Sequence, residues 1–331
     1  MLGPSRDGRS RVGEVPGAYP DIEPHERGLL DVGDGQSLYW EVCGNPAGKP
    51  ALVLHGGPGS GCSPSMRTLF DPRRYRIVLF DQRGAGRSLP HASEPGVDLA
   101  LNTTGHLVAD IERLRRHLAV DRWLVHGRSW GCTLALAYAQ RYPQRVTEIV
   151  LAAVTMTGRE EVDWLSRGVG AFFPAQWERL RTGLPAADRD GDLVAGYARL
   201  LVDPDPDVQH HAARSWCDWE EALVSVESGG QPNPRYEDPA FRLGFARLVT
   251  HYFSHAAWLA DGQLLAGAAR LADIPGVLIH GQLDIGAPLR IAWRLAHAWP
   301  DSQLVILPAA GHTSASLGDH VVIATDAFAD R

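Results

Sequence analysis

The stretch from Trp123 to Ala139 contains a serine between glycines, in a setting that could make its hydroxyl a nucleophile. A short apolar run leads into the motif GRSWG at residues 127–131, and small and apolar residues then recur at helical spacing. Glycines two residues before and two residues after Ser129 let a strand and a helix approach closely around a strained serine. The pattern predicts a strand, a tight turn and a helix, with Ser129 exposed at the tip.

A serine hydroxyl is a weak nucleophile by itself and needs a histidine base that a carboxylate orients. Asp284 follows one late apolar run, and His312 follows the next. Catalytic groups in open α/β sheets gather at the carboxyl ends of the strands, so these side chains are expected to meet Ser129 there. We predict a catalytic triad of Ser129, Asp284 and His312. For His312 considered alone, a structural role in its loop is the alternative.

A glycine-rich loop, HGGPG at residues 55–59, follows an earlier apolar run. Backbone N–H groups of such a loop, together with the N–H group after the nucleophile, can stabilise the negative oxygen formed during acyl transfer. We therefore predict an oxyanion hole made by the N–H groups of Gly57 and Trp130. Taken alone, the glycines fit an ordinary turn between a strand and a helix equally well.

The residues named above must be positioned by strands and helices, which are predicted in turn along most of the chain. An antiparallel hairpin is expected between residues 28 and 42, and a helix between residues 102 and 118. Apolar runs predict strands at residues 50–54, 76–80, 146–154, 276–281 and 303–307, and the continuous run at 50–54 suits a strand buried on both faces. We predict an α/β core made of residues 18–155 and 274–331, a helical cap of residues 156–273 rich in aromatic side chains, and a flexible leader at residues 1–17.

Composition and charge restrict the kinds of partner that this chain is expected to bind. The net charge of −7 and the pI of about 6.0 provide no basic surface field, so neither nucleic acid nor a membrane is an expected partner. The four cysteines show neither a disulfide framework nor paired metal-ligand spacing, and the first residues lack an apolar signal stretch. The glycines after Asp81 lack a complete dinucleotide fingerprint. We expect a cytoplasmic protein with no cofactor and no metal; its oligomeric state is left open.

Several short motifs are distributed along the chain from about residue 19 to its end. They are HGGPG at 55–59, GCSP at 61–64, DQRG at 81–84, NTT at 102–104, HLVADIERLR at 106–115, GRSWG at 127–131, FFP at 172–174 and HYF at 251–253. Together they resemble the prolyl aminopeptidases, also called proline iminopeptidases. The resemblance implies an α/β-hydrolase fold, with a mostly parallel central sheet flanked by helices and an inserted helical cap. It also implies a serine peptidase that releases N-terminal proline from peptides through an acyl-enzyme.

The resemblance further implies a substrate pocket in the cap, where glutamates hold the free imino group and aromatic side chains, Phe253 among them, surround the proline ring. Glu220 matches one such glutamate. Three positions depart from the pattern, because Val249, Thr155 and Leu165 stand where a second glutamate, a phenylalanine and a tyrosine are usual.

Losing a carboxylate partner of a buried ammonium weakens its binding. The alternative function is therefore an amidase or esterase of the same family that acts on another small peptide-like or ester substrate. Arg128 is a further departure, since the family has glycine at this place in the serine motif. A non-catalytic binding protein on a hydrolase scaffold is a third hypothesis, because a fold does not fix a function.

Overall fold

The protein is described by a computed structural model that covers residues 18–225 and 233–331. The leader predicted at residues 1–17 lies outside the described residues.

An eight-stranded sheet forms the centre of the molecule, with the strand order β1-β2-β4-β3-β5-β6-β7-β8. Strands β1 and β2 form the predicted antiparallel hairpin and β2 also pairs antiparallel with β4, whereas all remaining neighbours are parallel. The strands are β1 Glu26–Asp31, β2 Ser37–Gly44, β3 Lys49–Leu54, β4 Tyr75–Phe80, β5 Trp123–Ser129, β6 Val146–Val154, β7 Gly276–Gly281 and β8 Ser302–Leu307.

Helices cover both faces of the sheet, which explains the continuous apolar runs of its central strands. On β5, for example, Val125 packs in the cluster on one face while Leu124 packs in the cluster on the other, and both are fully buried. The helices are α1 Thr104–His117, α2 Trp130–Arg141, α3 Arg159–Ser166, α4 Pro174–Thr182, α5 Leu193–Leu200, α6 Pro206–Ser225, α7 Pro239–Ser254, α8 Gln263–Ala266, α9 Arg290–Ala298 and α10 Ala315–Phe328.

Local sequence sets the ends of α1, the helix that leads to the serine strand. The side-chain oxygen of Thr103 accepts a hydrogen bond from the N–H group of His106, which caps the amino end. The last turn carries Arg115 and Arg116, whose positive charges suit the carboxyl end of a helix dipole.

Helices α3 to α8, which we call the cap helices, lie between β6 and β7 in the chain. They enclose an apolar cluster of their own, the cap cluster, which includes Tyr197, Trp216, Trp219 and Val249. Phe253 packs against both this cluster and the main cluster of the core. The cap helices therefore combine an independent interior with a point of contact on the sheet domain. Across the described residues, no helix is both long enough and apolar enough to cross a membrane.

Parallel pairing brings the carboxyl ends of β3, β5, β7 and β8 to the same edge of the sheet. The predicted chemical groups follow these strands directly: the glycine-rich loop after β3, Ser129 at the end of β5, Asp284 after β7 and His312 after β8. The fold thus delivers four distant segments to one place.

Candidate active site

Ser129 sits in a strained turn between β5 and α2. Its backbone has φ 55° and ψ −126°, a conformation that residues other than glycine rarely adopt. A Cβ atom added to Gly127 would lie 2.3 Å from the carbonyl oxygen of Gly131, and one added to Gly131 would lie 2.2 Å from that of Leu54. Both glycines are therefore required by direct backbone contact, as the sequence predicted.

The structure brings together the three side chains predicted as a triad. His312 Nδ1 donates a hydrogen bond to Asp284 Oδ2 at 2.7 Å, and Ser129 Oγ lies 3.0 Å from His312 Nε2. Because the carboxylate can only accept, Nδ1 carries the proton and Nε2 is left to accept the proton of the serine hydroxyl. These contacts have the geometry that activates a serine nucleophile.

Asp284 is held in its charged form by several groups. Burial by itself would raise the pKa of its carboxyl, but the nearby positive charge that His312 can carry and the hydrogen bond from His312 hold that pKa below its usual value. The N–H group of Ala287 adds a hydrogen bond to Oδ1 at 2.8 Å. The carboxylate is thus oriented as well as charged.

A second buried histidine, His280, lies beside this pair and was not identified from the sequence. Its Nδ1 accepts a hydrogen bond from the Val154 N–H group at 3.0 Å, and its Nε2 donates one to the Ala287 carbonyl at 2.8 Å. Burial lowers its pKa, so it is neutral. His280 therefore ties the loop of Asp284 to the end of β6. The one sequence signal is its position as a polar residue near the end of an apolar strand.

The predicted oxyanion donors lie beside the nucleophile. Gly57 and Trp130 line the same cavity as Ser129 and His312. Gly57 has φ 111°, and a Cβ atom added to Gly56 would lie 3.3 Å from the Cβ atom of Ser129. The glycine-rich loop therefore runs close to the serine, where a side chain would obstruct it.

The cavity above Ser129 has an empty volume of about 700 Å³, part of which is open to solvent. Most of its wall is apolar. The apolar side chains are Val162, Leu165, Leu223, Val224, Phe253 and Ile291. Two carboxylates, Glu161 and Glu220, also line it, whereas the described lining residues include no lysine or arginine.

Glu220 projects from α6 into this cavity. Burial raises its pKa to about 7, against the opposing effects of a hydrogen bond from Trp216 and of the positive charge that His312 can carry. Trp216 Nε1 donates that hydrogen bond to Oε1 at 3.1 Å. Glu220 therefore keeps its proton to a higher pH than an ordinary glutamate does.

Glu161, at the start of the cap helices, was not identified from the sequence. Its Oε2 atom accepts hydrogen bonds from the N–H groups of Met156 and Thr157 at 2.9 and 3.0 Å. Burial raises its pKa as well. The carboxylate therefore fixes the backbone where the chain leaves β6 for α3.

Three other predicted pocket residues, Thr155, Leu165 and Phe253, line the cavity. Val249 differs from the prediction, because it is fully buried in the cap cluster and is not among the described side chains that line the cavity. It lies one helical turn before Phe253 on α7, and its short side chain is enclosed by the cluster.

Arg128, the unusual residue of the serine motif, reaches the loop of the histidine. Its Nη2 atom donates a hydrogen bond to the backbone carbonyl of His312 at 3.0 Å. The residue immediately before the nucleophile therefore also contacts the segment that carries the base.

The DQRG segment forms a loop held by its own hydrogen bonds and ion pairs. The Asp81 carboxylate accepts a hydrogen bond from the Cys62 N–H group at 2.6 Å and pairs with Arg87 at 2.8 Å. Arg83 forms a bidentate pair with the buried carboxylate of Asp110, at 2.6 and 2.9 Å. The loop after β4 is thereby fastened on both sides of Gln82.

Comparison with known proteins places the chain in a family. Residues 49–319 match the alpha/beta hydrolase fold family. A probable proline iminopeptidase of Streptomyces coelicolor is 55% identical over 94% of this chain and 97% of its own length. The chain belongs to the proline iminopeptidase family of α/β-hydrolases. The resemblance and the fold class predicted from the sequence are confirmed.

Other members of the proline iminopeptidase family are almost as similar. The proline iminopeptidase of Xylella fastidiosa strain Temecula1 is 46% identical over 94% of this chain and 98% of its own length. That of Arabidopsis thaliana is 43% identical over 89% of this chain and 77% of its own length. The protein is accordingly a serine hydrolase, as predicted.

More distant solved structures share the fold. A proline iminopeptidase-related protein of Thermus thermophilus superimposes with a TM-score of 0.56 at 23% identity, covering 93% of this chain and 97% of that one. VinJ superimposes with a TM-score of 0.60 at 18% identity, covering 93% of this chain and 99% of that one. At these identities the likeness concerns the fold alone.

Proposed function

We propose that the enzyme releases N-terminal proline from peptides. The observation that carries the proposal is the pair of hydrogen bonds that links Asp284, His312 and Ser129. Ser129 and His312 line a largely apolar cavity whose wall also contains the carboxylate of Glu220. The names of the related proteins point to the same reaction.

In this mechanism, Ser129 Oγ attacks the carbonyl carbon of the N-terminal residue while His312 Nε2 accepts the hydroxyl proton. The carbonyl oxygen becomes an oxyanion, which the N–H groups of Gly57 and Trp130 stabilise. His312 then gives its proton to the leaving amine as the C–N bond breaks, which leaves a prolyl ester on Ser129. Water then attacks the ester carbonyl while His312 Nε2 accepts its proton; the bond between the carbonyl carbon and Ser129 Oγ breaks, Oγ takes the proton from His312, and proline is released.

Recognition of proline follows from the character of the cavity. The secondary ammonium of an N-terminal proline carries a positive charge and two N–H donors, which suit the carboxylate of Glu220. Its ring carbons suit the apolar wall that includes Leu165 and Phe253. With the acyl group held there, the rest of the peptide extends from the leaving side.

The test compares proline anilide with N-acetylproline anilide. The wild-type enzyme is expected to prefer the free imino substrate by roughly 100-fold or more in kcat/KM, since acetylation removes the charge that Glu220 binds. Glu220→Gln should abolish most of this preference. Ser129→Ala should reduce kcat by about 10⁴-fold or more while the protein remains folded. A wild-type enzyme indifferent to acetylation would contradict the assignment of proline.

The alternative substrate is an uncharged acyl group in an ester or amide. It is favoured by the partial protonation of Glu220 at neutral pH and by the apolar wall around it. Short aryl esters distinguish the two possibilities. Faster turnover of these esters than of proline anilide, with no effect of Glu220→Gln, would identify the alternative function.

We further infer that the enzyme acts on small peptides in the cytoplasm. In support, Cys43, Cys62, Cys132 and Cys217 are all free thiols, as is usual in a reducing compartment.

A further inference from the structure

Gln82, in the loop after β4, is a buried glutamine whose polar groups bridge two other loops. Its backbone N–H group donates to His55 Nε2 at 3.0 Å, and its side-chain Nε2 donates to the His55 carbonyl at 3.0 Å. Its Oε1 atom accepts a hydrogen bond from Trp130 Nε1 at 2.8 Å. The side chain is 2% exposed.

The chemistry of these partners permits a single orientation of the amide. The indole of Trp130 can only donate, and the carbonyl of His55 can only accept. The amide oxygen must therefore face Trp130, and the amide nitrogen must face His55. The His55 ring is equally determined, because its Nδ1 donates to the Gly56 carbonyl at 2.9 Å and leaves Nε2 free to accept.

The two bridged segments carry the two proposed oxyanion donors. His55 begins the glycine-rich loop in which Gly57 lies two residues later, and Trp130 itself follows Ser129. The donors come from the ends of β3 and β5, so no single element fixes the distance between them. Gln82 contacts both segments from a third loop, and the described lining of the cavity does not include it.

The position of Gln82 is itself well fixed. The Asp81 N–H group donates to the Tyr39 carbonyl at 2.9 Å, and the Asp81 and Arg83 side chains are fastened by the ion pairs described above. Gln82 therefore acts as a spacer that is anchored to β2 through Asp81 and to α1 through Arg83.

We propose that Gln82 is a positioning residue that sets the separation of the Gly57 and Trp130 N–H groups in the oxyanion hole. The inference rests on the proposed function, since it takes these N–H groups as the oxyanion donors. Gln82 does not contact the reacting atoms. It acts through the loop of His55 and through the indole of Trp130.

The experiment uses Gln82→Met, which removes both side-chain hydrogen bonds at similar length, and Gln82→Glu, which places an oxygen against the His55 carbonyl. Both should lower kcat roughly 10- to 100-fold with KM within about twofold, because small displacements of oxyanion donors weaken mainly the transition state. The Ki of a proline boronic acid, which forms a tetrahedral adduct on Ser129, should rise by the same factor. Binding of the product proline should not change.

Gln140→Met is the matched control. Gln140 is also buried, and its Nε2 donates to the Leu264 carbonyl at 2.6 Å, but it lies at the far end of α2. Its replacement should lower the melting temperature comparably and leave kcat and boronate affinity unchanged. If the Gln82 variants fail to fold, Trp130→Phe removes the indole hydrogen bond and leaves the His55 bonds of Gln82 in place, at the cost of a smaller buried ring; in the folded variant kcat and boronate affinity should fall together.

Two results would overturn the proposal: folded Gln82 variants with wild-type kcat, or a loss of kcat without a matching loss of boronate affinity. If proline is not the substrate, the role of Gln82 can still be tested, because the same variants can be compared on an aryl ester that the wild-type enzyme hydrolyses through Ser129. A wild-type enzyme whose Ser129 reacts with neither substrate nor boronate would remove both proposals.

Discussion

The sheet edge and the cap helices each place a carboxyl group near Ser129, and the pKa values of the two groups are shifted in opposite directions. At the sheet edge, Asp284 receives hydrogen bonds from His312 and Ala287, and its pKa is lowered. In the cap, Glu220 receives one from the Trp216 indole, and its pKa is raised to about 7.

The difference shows how the work is divided between the two regions. Asp284 is charged before any substrate arrives, because its partners belong to the protein. No lysine or arginine lines the cavity of Glu220 among the described residues, so a positively charged substrate can supply a cationic partner beside the carboxylate. Under the proposed function, the sheet domain is pre-organised for chemistry, whereas the cap supplies recognition of the substrate.

The largest expected effect tests the sheet-edge carboxylate. Asp284→Asn should lower kcat roughly 10³- to 10⁴-fold on both proline anilide and an aryl ester, because His312 loses the group that orients its imidazole. Steady-state kinetics on the two substrates measure this directly. A loss restricted to the proline substrate would contradict the division of roles.

A smaller effect is expected from the pH dependence of Glu220. Since its pKa is about 7 in the free enzyme, the carboxylate forms as pH rises through that value, and kcat/KM for proline anilide should rise with it. The ratio of wild-type to Glu220→Gln activity on proline anilide should therefore increase between pH 6 and pH 8. On an aryl ester the same ratio should stay constant.

The pH dependence of stability gives an independent check on the direction of the pKa shift of Glu220. A carboxyl whose pKa is higher in the folded protein contributes stability at low pH and loses it as pH rises through the folded value. The melting temperature of Glu220→Gln should consequently improve relative to wild type between pH 6 and pH 8. An opposite trend would mean that Glu220 is charged and paired in the free enzyme.

The smallest effect on activity is expected at Val249. Val249→Glu would bury a carboxylate in the cap cluster and should destabilise the protein by about 2–4 kcal/mol, while kcat/KM for proline anilide stays within about twofold. Denaturant unfolding measures the first quantity, with Val249→Ala as the apolar control. A stable variant with higher proline activity would show that a glutamate here reaches the cavity and that the predicted role was right.

The sequence was most informative where chemistry coincides with strand ends. Ser129, Asp284 and His312 could be predicted because each follows an apolar run, and parallel strands end at the same edge. The glycines at 127 and 131 were equally readable, since backbone contact leaves no space for a side chain.

Sequence reasoning was weaker where a residue's partner comes from a distant element. His280 bonds to Val154, 126 positions away, and Gln82 bonds to Trp130, 48 positions away, so neither role is visible as a local pattern. In the cap, Val249 and Phe253 share a helix and lie one turn apart, but only tertiary packing decides that one is enclosed and the other borders the cavity.

The hydrogen bond between Ser129 and His312 joins positions 183 residues apart, and the whole helical insertion lies between them in the chain. Partially folded forms in which β8 has not yet joined the sheet would hold the hydroxyl without its base. Recovery of hydrolysis during refolding would therefore report that β8 and the loop of His312 have joined the sheet, and a form that contains the GRSWG turn without them would be inert toward peptides.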